Sequence, residues 1–304
     1  MVWNSLILAL NAIRKNLLRS FLTVLGIIIG VAAVITMVTI GRGATKSVSD
    51  QISDMGTNQL IVRPGQRRGS GSNVAKFKQK EVDLIKTQVQ GLAGVAPYST
   101  SSATVIFQAR NYATLITGTT NDFFNVGNWE LQTGREFHDN ELKSGKASCI
   151  LGTTVKSNLF GEKDPLGERI RIKQFTCEVI GVLTSKGQST WGTDQDDKVV
   201  MPLKTLHRRL LGNVEIERLA VEVEDSANIT NAQNQITELL RTARRLPDNV
   251  ENDFRVLDMR QVIKTLTGTT RVLTMLLSAV AAVSLLVGGI GIMNIMLVSV
   301  TERT

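Results

Sequence analysis

Histidine and cysteine are scarce in this 304-residue chain, with two of each, and aromatic side chains make up only 5%. Each scarcity excludes something. A structural zinc site needs about four Cys or His ligands at close spacing, and the chain has no such spacing. A nucleic-acid platform combines clustered Lys/Arg with aromatic rings on which bases stack. The chain is basic, with 35 Lys+Arg against 27 Asp+Glu and a formal charge of +8. Its basic residues are interspersed with acids and its aromatics are few, so no nucleic-acid partner is expected. The P-loop is missing as well: Gly145-Lys146 is followed by Ala147, and Asn140 stands where the first glycine should be. Neither HExxH nor the G-x-S-x-G elbow occurs. His138 and His207 are isolated and read as surface residues. Asp194-Gln195-Asp196-Asp197 is the densest acidic run, but it lacks EF-hand spacing and the turn glycine. It reads as a solvated loop. No catalytic, cofactor-binding or metal site is expected, and the chain is not read as an enzyme.

Charge is also missing from two long stretches. Ser20 to Gly41 is 22 residues and Val272 to Thr301 is 30 residues without a charged side chain. At about 1.5 Å per residue, each helix would exceed the roughly 30 Å hydrocarbon core of a bilayer. An ion or proton pathway normally shows ionisable residues inside the membrane. Two uncharged spans therefore do not read as a pump or secondary transporter. Arg14, Lys15 and Arg19 precede the first run and no acid does, which predicts a cytoplasmic N-terminus. Residues 42–271 would then lie outside the inner membrane. A cleaved signal peptide is the rival, but its apolar core is shorter and ends in small residues, unlike Val38-Thr39-Ile40. Cys149 and Cys177 lie in apolar strand-like runs. The compartment permits a disulfide, yet sequence cannot show that the two meet, and two buried small hydrophobes are expected.

Between the runs, 42–271 has the composition of a water-soluble domain. Asn58 to Val62 reads as a strand stopped by Pro64, 79–90 as a helix burying Val82, Ile85 and Val89, and Ala103 to Gln108 as a strand. Leu219, Val221 and Val223 alternate. Ile229, Ala232, Ile236, Leu239 and Ala243 keep a helical period, and Phe254 to Leu257 is a further strand. Two β-α-β units predict a split-βαβ, ferredoxin-like sheet made of 42–109 and 214–271. Residues 110–213 change to short strands and turns, including strands at Tyr112 to Thr117 and Ser148 to Leu151. Ile170 and Ile172 form a hairpin with Cys177 to Leu183. This stretch reads as a β-rich insertion. Residues 1–19 read as a cytoplasmic amphipathic helix.

The stretch Ser284-Leu285-Leu286-Val287-Gly288-Gly289-Ile290-Gly291-Ile292-Met293-Asn294-Ile295-Met296 through Thr301-Glu302-Arg303-Thr304 strongly resembles the second transmembrane helix of MacB-type (MacB/FtsX superfamily) ABC transporter permeases. Arg19 to Val31 resembles that family's first span. Met55-Gly56-Thr57-Asn58, Gly134-Arg135-Glu136-Phe137, Ile150-Leu151-Gly152 and Val179-Ile180-Gly181-Val182 follow in the family's order. Asp194 to Asp197 and Arg208-Arg209-Leu210-Leu211-Gly212 resemble segments of stand-alone members. The resemblance covers the whole chain. It implies an α+β membrane protein whose periplasmic domain has a porter-like part and an inserted β-rich part. It also implies a homodimer working with an ATPase, with ATP bound on that partner and not in this chain. Relatives export macrolides, peptides or toxins through a periplasmic adaptor and an outer-membrane channel. Others release lipoproteins.

Two departures stand out. No ATPase domain is fused, so a separate ABC ATPase subunit is expected. The chain also stops at 302–304, before the two further spans of the family, so a truncated permease is expected. The structural candidates are Gly26 and Gly30, a GxxxG for helix contact, and Gly288, Gly289 and Gly291 for packing or bending the second span. A two-span periplasmic sensor or scaffold is the alternative from another class.

Overall fold

The structure, a computed structural model, describes residues 58–65, 75–189 and 192–301, together with 21, 25, 28, 29, 31, 32, 35–41, 43 and 46. The expected amphipathic helix over 1–19, and with it Gly26 and Gly30, lies outside the described residues. The chain divides into two compact units: Asp50–Lys264, and the terminal segments Met1–Ser49 with Thr265–Thr304.

The larger unit begins with a four-stranded antiparallel sheet. Its strands are β1 (Gln59–Pro64), β2 (Leu92–Phe107), β9 (Arg218–Val223) and β10 (Phe254–Asp258), in the order β10-β1-β9-β2. Helix α1 (Gln79–Gln88) joins β1 to β2, and α6 (Ile229–Ala243) joins β9 to β10. Two β-α-β units interleaved in this order make the split-βαβ sheet that the periodicities predict. Strand alternation builds its core. Leu60, Val62, Leu219, Val221, Val223 and Phe254 point to the helices and pack on Val82, Ile85, Ile229, Ala232, Ile236 and Leu240.

Arg244, just past α6, fastens this layer. Its Nε lies 2.6 Å from Glu81 of α1, and its guanidinium stacks 4.7 Å from the Phe77 ring centroid. An Asp253 oxygen lies 3.0 Å from Nη1. That oxygen lacks an aligned hydrogen bond, so the contact is an ion pair set off the N–H axis.

The remaining strands form a second arrangement. They are β3 (Arg110–Thr119), β4 (Leu131–Gly134), β5 (Ser148–Leu151), β6 (Arg169–Ile172), β7 (Phe175–Leu183) and β8 (Lys198–Pro202). The pairings run β2-β3-β8-β5-β7-β6 and return from β6 to β2. The ring of these six strands closes, so each is paired on both sides, while β4 stands outside it and pairs only with β7. Its filling is Val105, Ile116, Cys149, Leu151, Ile170, Ile172, Cys177, Val179, Val199 and Met201. Helix α4 (Thr153–Leu159) adds Val155 and Leu159. The expected hairpin is present, with Arg169 opposite Glu178 and Ile172 opposite Phe175.

Several expectations are corrected. The strand expected at Ala103 to Gln108 is the second half of the 16-residue β2, whose first half belongs to the other sheet. β1 ends at Pro64 as expected, but it includes Arg63 and Pro64. Beyond Val62 the strand pairs only with β10, so the missing N–H is tolerated there. Cys149 and Cys177 are not two separate hydrophobes but a disulfide, with Cα atoms 5.9 Å apart between β5 and β7. That separation lies within the ordinary disulfide range.

In the terminal unit the described residues between 21 and 46 are helical. The last helix, α7, runs over Met259–Thr301. Among the described residues no helix is long and apolar enough to cross a membrane. The side chains of much of α7 lie outside that set.

Candidate functional site

The two parts of the larger unit meet on the sheet face turned away from the helices. Alternation sends Ile61, Ala96, Tyr98 and Ala220 to that face. It also sends Ile150, Ile180 and Val200 out of the barrel toward them. Helix α2 (Asp122–Val126) fills the gap with Phe123, Phe124 and Val126. Tyr98 meets Phe123 edge-on at 5.9 Å, and Phe123 stacks on Trp129 at 5.8 Å. Gln59 donates to the Val126 carbonyl at 2.6 Å and caps the cluster. Three cations lie against the rings. Arg218 is 4.5 Å from the Tyr98 centroid, while Lys198 and Lys186 are 4.2 Å and 4.6 Å from that of Trp129. Burial pushes the Tyr98 hydroxyl up to about 12, with Arg218 opposing. Burial brings Lys198 down to about 8, helped by the nearby positive charge of Arg218. Burial also lowers Arg218.

Polar residues lock the same region. The acidic run is not a solvated loop. Asp196 is buried and accepts from Ser185 Oγ, from Lys186 N at 2.8 Å and from Gly187 N at 3.0 Å. Asp194 accepts from Thr154 Oγ1 at 2.7 Å, and Asp197 from Thr114 Oγ1 at 2.6 Å. Each carboxylate is committed to fixing a turn against the barrel. His207 is likewise not a surface residue. It is buried, with Nε2 3.0 Å from Ser99 Oγ, and burial lowers its pKa. It opens a π-helical turn, His207–Leu211, that Gly212 ends in the left-handed region. His138 is exposed, as expected. Glu141 accepts from both guanidinium nitrogens of Arg135 and from Ser148 Oγ.

Of the expected glycines, Gly26 and Gly30 lie outside the described residues. Nothing stands within 4 Å of a Cβ built on Gly288 or Gly289, and the surroundings of Gly291 lie outside the described residues. The close approach is at Gly41, which was not a candidate. A Cβ there would meet Thr274 of α7 at 3.3 Å, so the two terminal helices touch at this glycine. All but three of the exposed large hydrophobics among the described residues lie on these helices; Leu115, Val214 and Leu257 are the exceptions. The ring-and-cation cluster was also missed, because only the register of distant strands assembles it.

A split-βαβ sheet with a barrel inserted between its second and third strands defines the fold class of the larger unit. Two crystal structures share the fold. The periplasmic region of MacB from Actinobacillus actinomycetemcomitans aligns at TM-score 0.60 and 21% identity, over 72% of this chain and 97% of that one. The extracellular domain of the ABC-type transporter YknZ from Gram-positive bacteria aligns at 0.56 and 21%, over 66% and 100%. A family profile described as "MacB-like periplasmic core domain" matches residues 20–239. Macrolide export ATP-binding/permease proteins MacB of Bdellovibrio bacteriovorus and Azoarcus sp. are 39% and 41% identical over 97% of this chain. The chain belongs to the MacB family of ABC transporter permeases and carries its periplasmic core domain. It spans less than half the length of these curated relatives, 46% and 44%.

Proposed function

We propose that the chain is a permease segment of an ABC efflux system, set in the inner membrane by helices over 20–41 and 272–301, with 42–271 in the periplasm. The observation that carries this reading is the 39–41% identity along 97% of the chain to macrolide export permeases. The apolar side chains exposed along both terminal helices support it, because such a surface is matched by lipid and not by water. In this reading a separate ATPase binds and hydrolyses ATP in the cytoplasm. Helix movement passes to the periplasmic unit, which acts on an efflux substrate with an adaptor and an outer-membrane channel. The chain works as a homodimer, in which the open surface at Gly288 and Gly289 accepts another helix.

The test is topology followed by partnership. In intact cells with a permeabilised outer membrane, a cysteine placed by N140C should react with a membrane-impermeant maleimide. One placed by S5C should react only after detergent. Affinity purification from native membranes should then recover an ATPase subunit. A protected position 140 overturns the topology, and a preparation without any ATPase overturns the coupling.

A further inference from the structure

On the face of the four-stranded sheet turned from the helices, three arginines stand abreast. Arg63 of β1 is paired with Arg255 of β10. Val62 is paired with Leu219, so the next position brings Arg63 beside Arg218 of β9. Arg218 is paired in turn with Tyr98 of β2 and lies on its ring. The alternation of β1, β9 and β10 puts all three side chains on one face, since their neighbours Val62, Leu219, Phe254 and Val256 pack on the helices.

Like charges directly opposite each other destabilise a sheet; the Tyr98 ring and the charge of Glu217 offset this only in part, and only at Arg218. Among the described residues none of the three takes part in an ion pair or side-chain hydrogen bond. The adjacent carboxylate, Glu217, is committed to Thr100 N and Oγ1. Arg63 and Arg255 are exposed, and Arg218 is half-buried. Lys198 is close enough to Arg218 to lose basicity to it. Leu257, 37% exposed, is two residues along β10 on the same face.

We propose that this arginine row is a docking site for an acidic polypeptide segment, laid across the open face of β1 and β10. Guanidinium groups take carboxylates in paired hydrogen bonds. Three groups on neighbouring strands about 4.8 Å apart extend over roughly 10 Å, wider than one small oxyanion. Carboxylates at alternate positions of an extended chain, about 6.8 Å apart, match that reach. Leu257 gives such a segment an apolar contact beside the charges, as at the core of a protein interface.

The test uses the full chain in non-ionic detergent and a fluorescein-labelled hexaglutamate peptide, followed by anisotropy. Saturable, salt-sensitive binding is expected, with R63Q/R255Q weakening it at least tenfold. Both side chains are exposed, so the fold should survive. R169Q/R171Q, which neutralises two exposed arginines of β6, should change it less than twofold. R63E/R255E should lose hexaglutamate and gain hexalysine. Absence of saturable binding, or equal loss in the β6 control, overturns the proposal. Full displacement by millimolar inorganic phosphate overturns it in favour of a simple oxyanion site. Self-association of the wild type that R63Q/R255Q abolishes and hexaglutamate does not compete with overturns it in favour of a second copy.

Discussion

Glu141 and Asp196 show how this domain uses buried carboxylates. The Arg135 fork holds Glu141 far below the ordinary carboxylate range, against its burial. For Asp196, burial works upward, yet hydrogen bonds from Lys186, Ser185 and Gly187 win and the net shift is downward. A carboxyl held low when folded contributes stability that is complete above its unfolded value, about 4, and is lost as pH falls through the folded value. Urea midpoints should therefore drop between pH 5 and pH 3. E141Q should flatten that limb and cost about 1–3 kcal/mol at neutral pH; a wild-type midpoint unchanged down to pH 3 contradicts this. His207 works at higher pH. Its folded value is lowered, so below about 6.5 the unfolded chain takes a proton that the buried ring refuses. Stability should begin to fall there, and H207Q should remove that step from the pH profile. Arg244 gives the largest expected effect of a single charge. R244A leaves Glu81 and Asp253 without their cation and should cost about 3–5 kcal/mol in denaturant unfolding. None of these roles was legible in the sequence. A lone His or a run of Asp looks alike whether it is hydrated or buried, and partners such as Ser99 and His207 lie 108 residues apart.

At the scale of elements the sequence was far more informative. The helix Ile229–Ala243 and the strand Ser148–Leu151 appear at the expected residues, because burial on one face imposes a period of 3.6 or 2 that composition records. The long β2 was half missed because Ser99-Thr100-Ser101-Ser102 carries no apolar alternation. Its polar side chains are held by partners from elsewhere, Ser99 by the Glu215 carbonyl and Thr100 by Glu217. The disulfide was illegible for the same reason: β5 and β7 are parallel neighbours, and only the fold places Cys149 beside Cys177. It closes a 28-residue separation, for which chain entropy gives roughly 3–4 kcal/mol. A C149A/C177A variant should lower stability by about that amount while the ring still forms. An unchanged midpoint under reducing conditions would show that packing alone fixes β5 on β7. Gly152, the residue just before α4, sits where a Cβ would collide with the backbone carbonyl of Asp196. G152A should cost about 1–3 kcal/mol by overpacking, measured in the same assay.

For the larger unit as a whole, the question is whether sheet and barrel form one cooperative body. β2 runs through both, so a displacement of the sheet's second strand is also a displacement of the barrel wall. The second link is the aromatic junction, where Phe123 meets Tyr98 from the sheet side, and Trp129, by the cations of β8 and the 184–187 loop. Rings stacked and crossed edge-on at such a joint resist sliding of the barrel on the sheet, so the two parts should melt together. The joint therefore predicts one unfolding transition for Asp50–Lys264, not two. F123A should reduce the unfolding free energy of that single transition by about 3–5 kcal/mol and lower its midpoint accordingly, as for any buried Phe→Ala change. Spin-label or hydrogen-exchange probes on β10 and on β6 should report the same midpoint in the wild type and in the variant. If instead the barrel probes retain the wild-type midpoint while the sheet melts early, the junction is only a surface contact. β2 alone would then join the two parts.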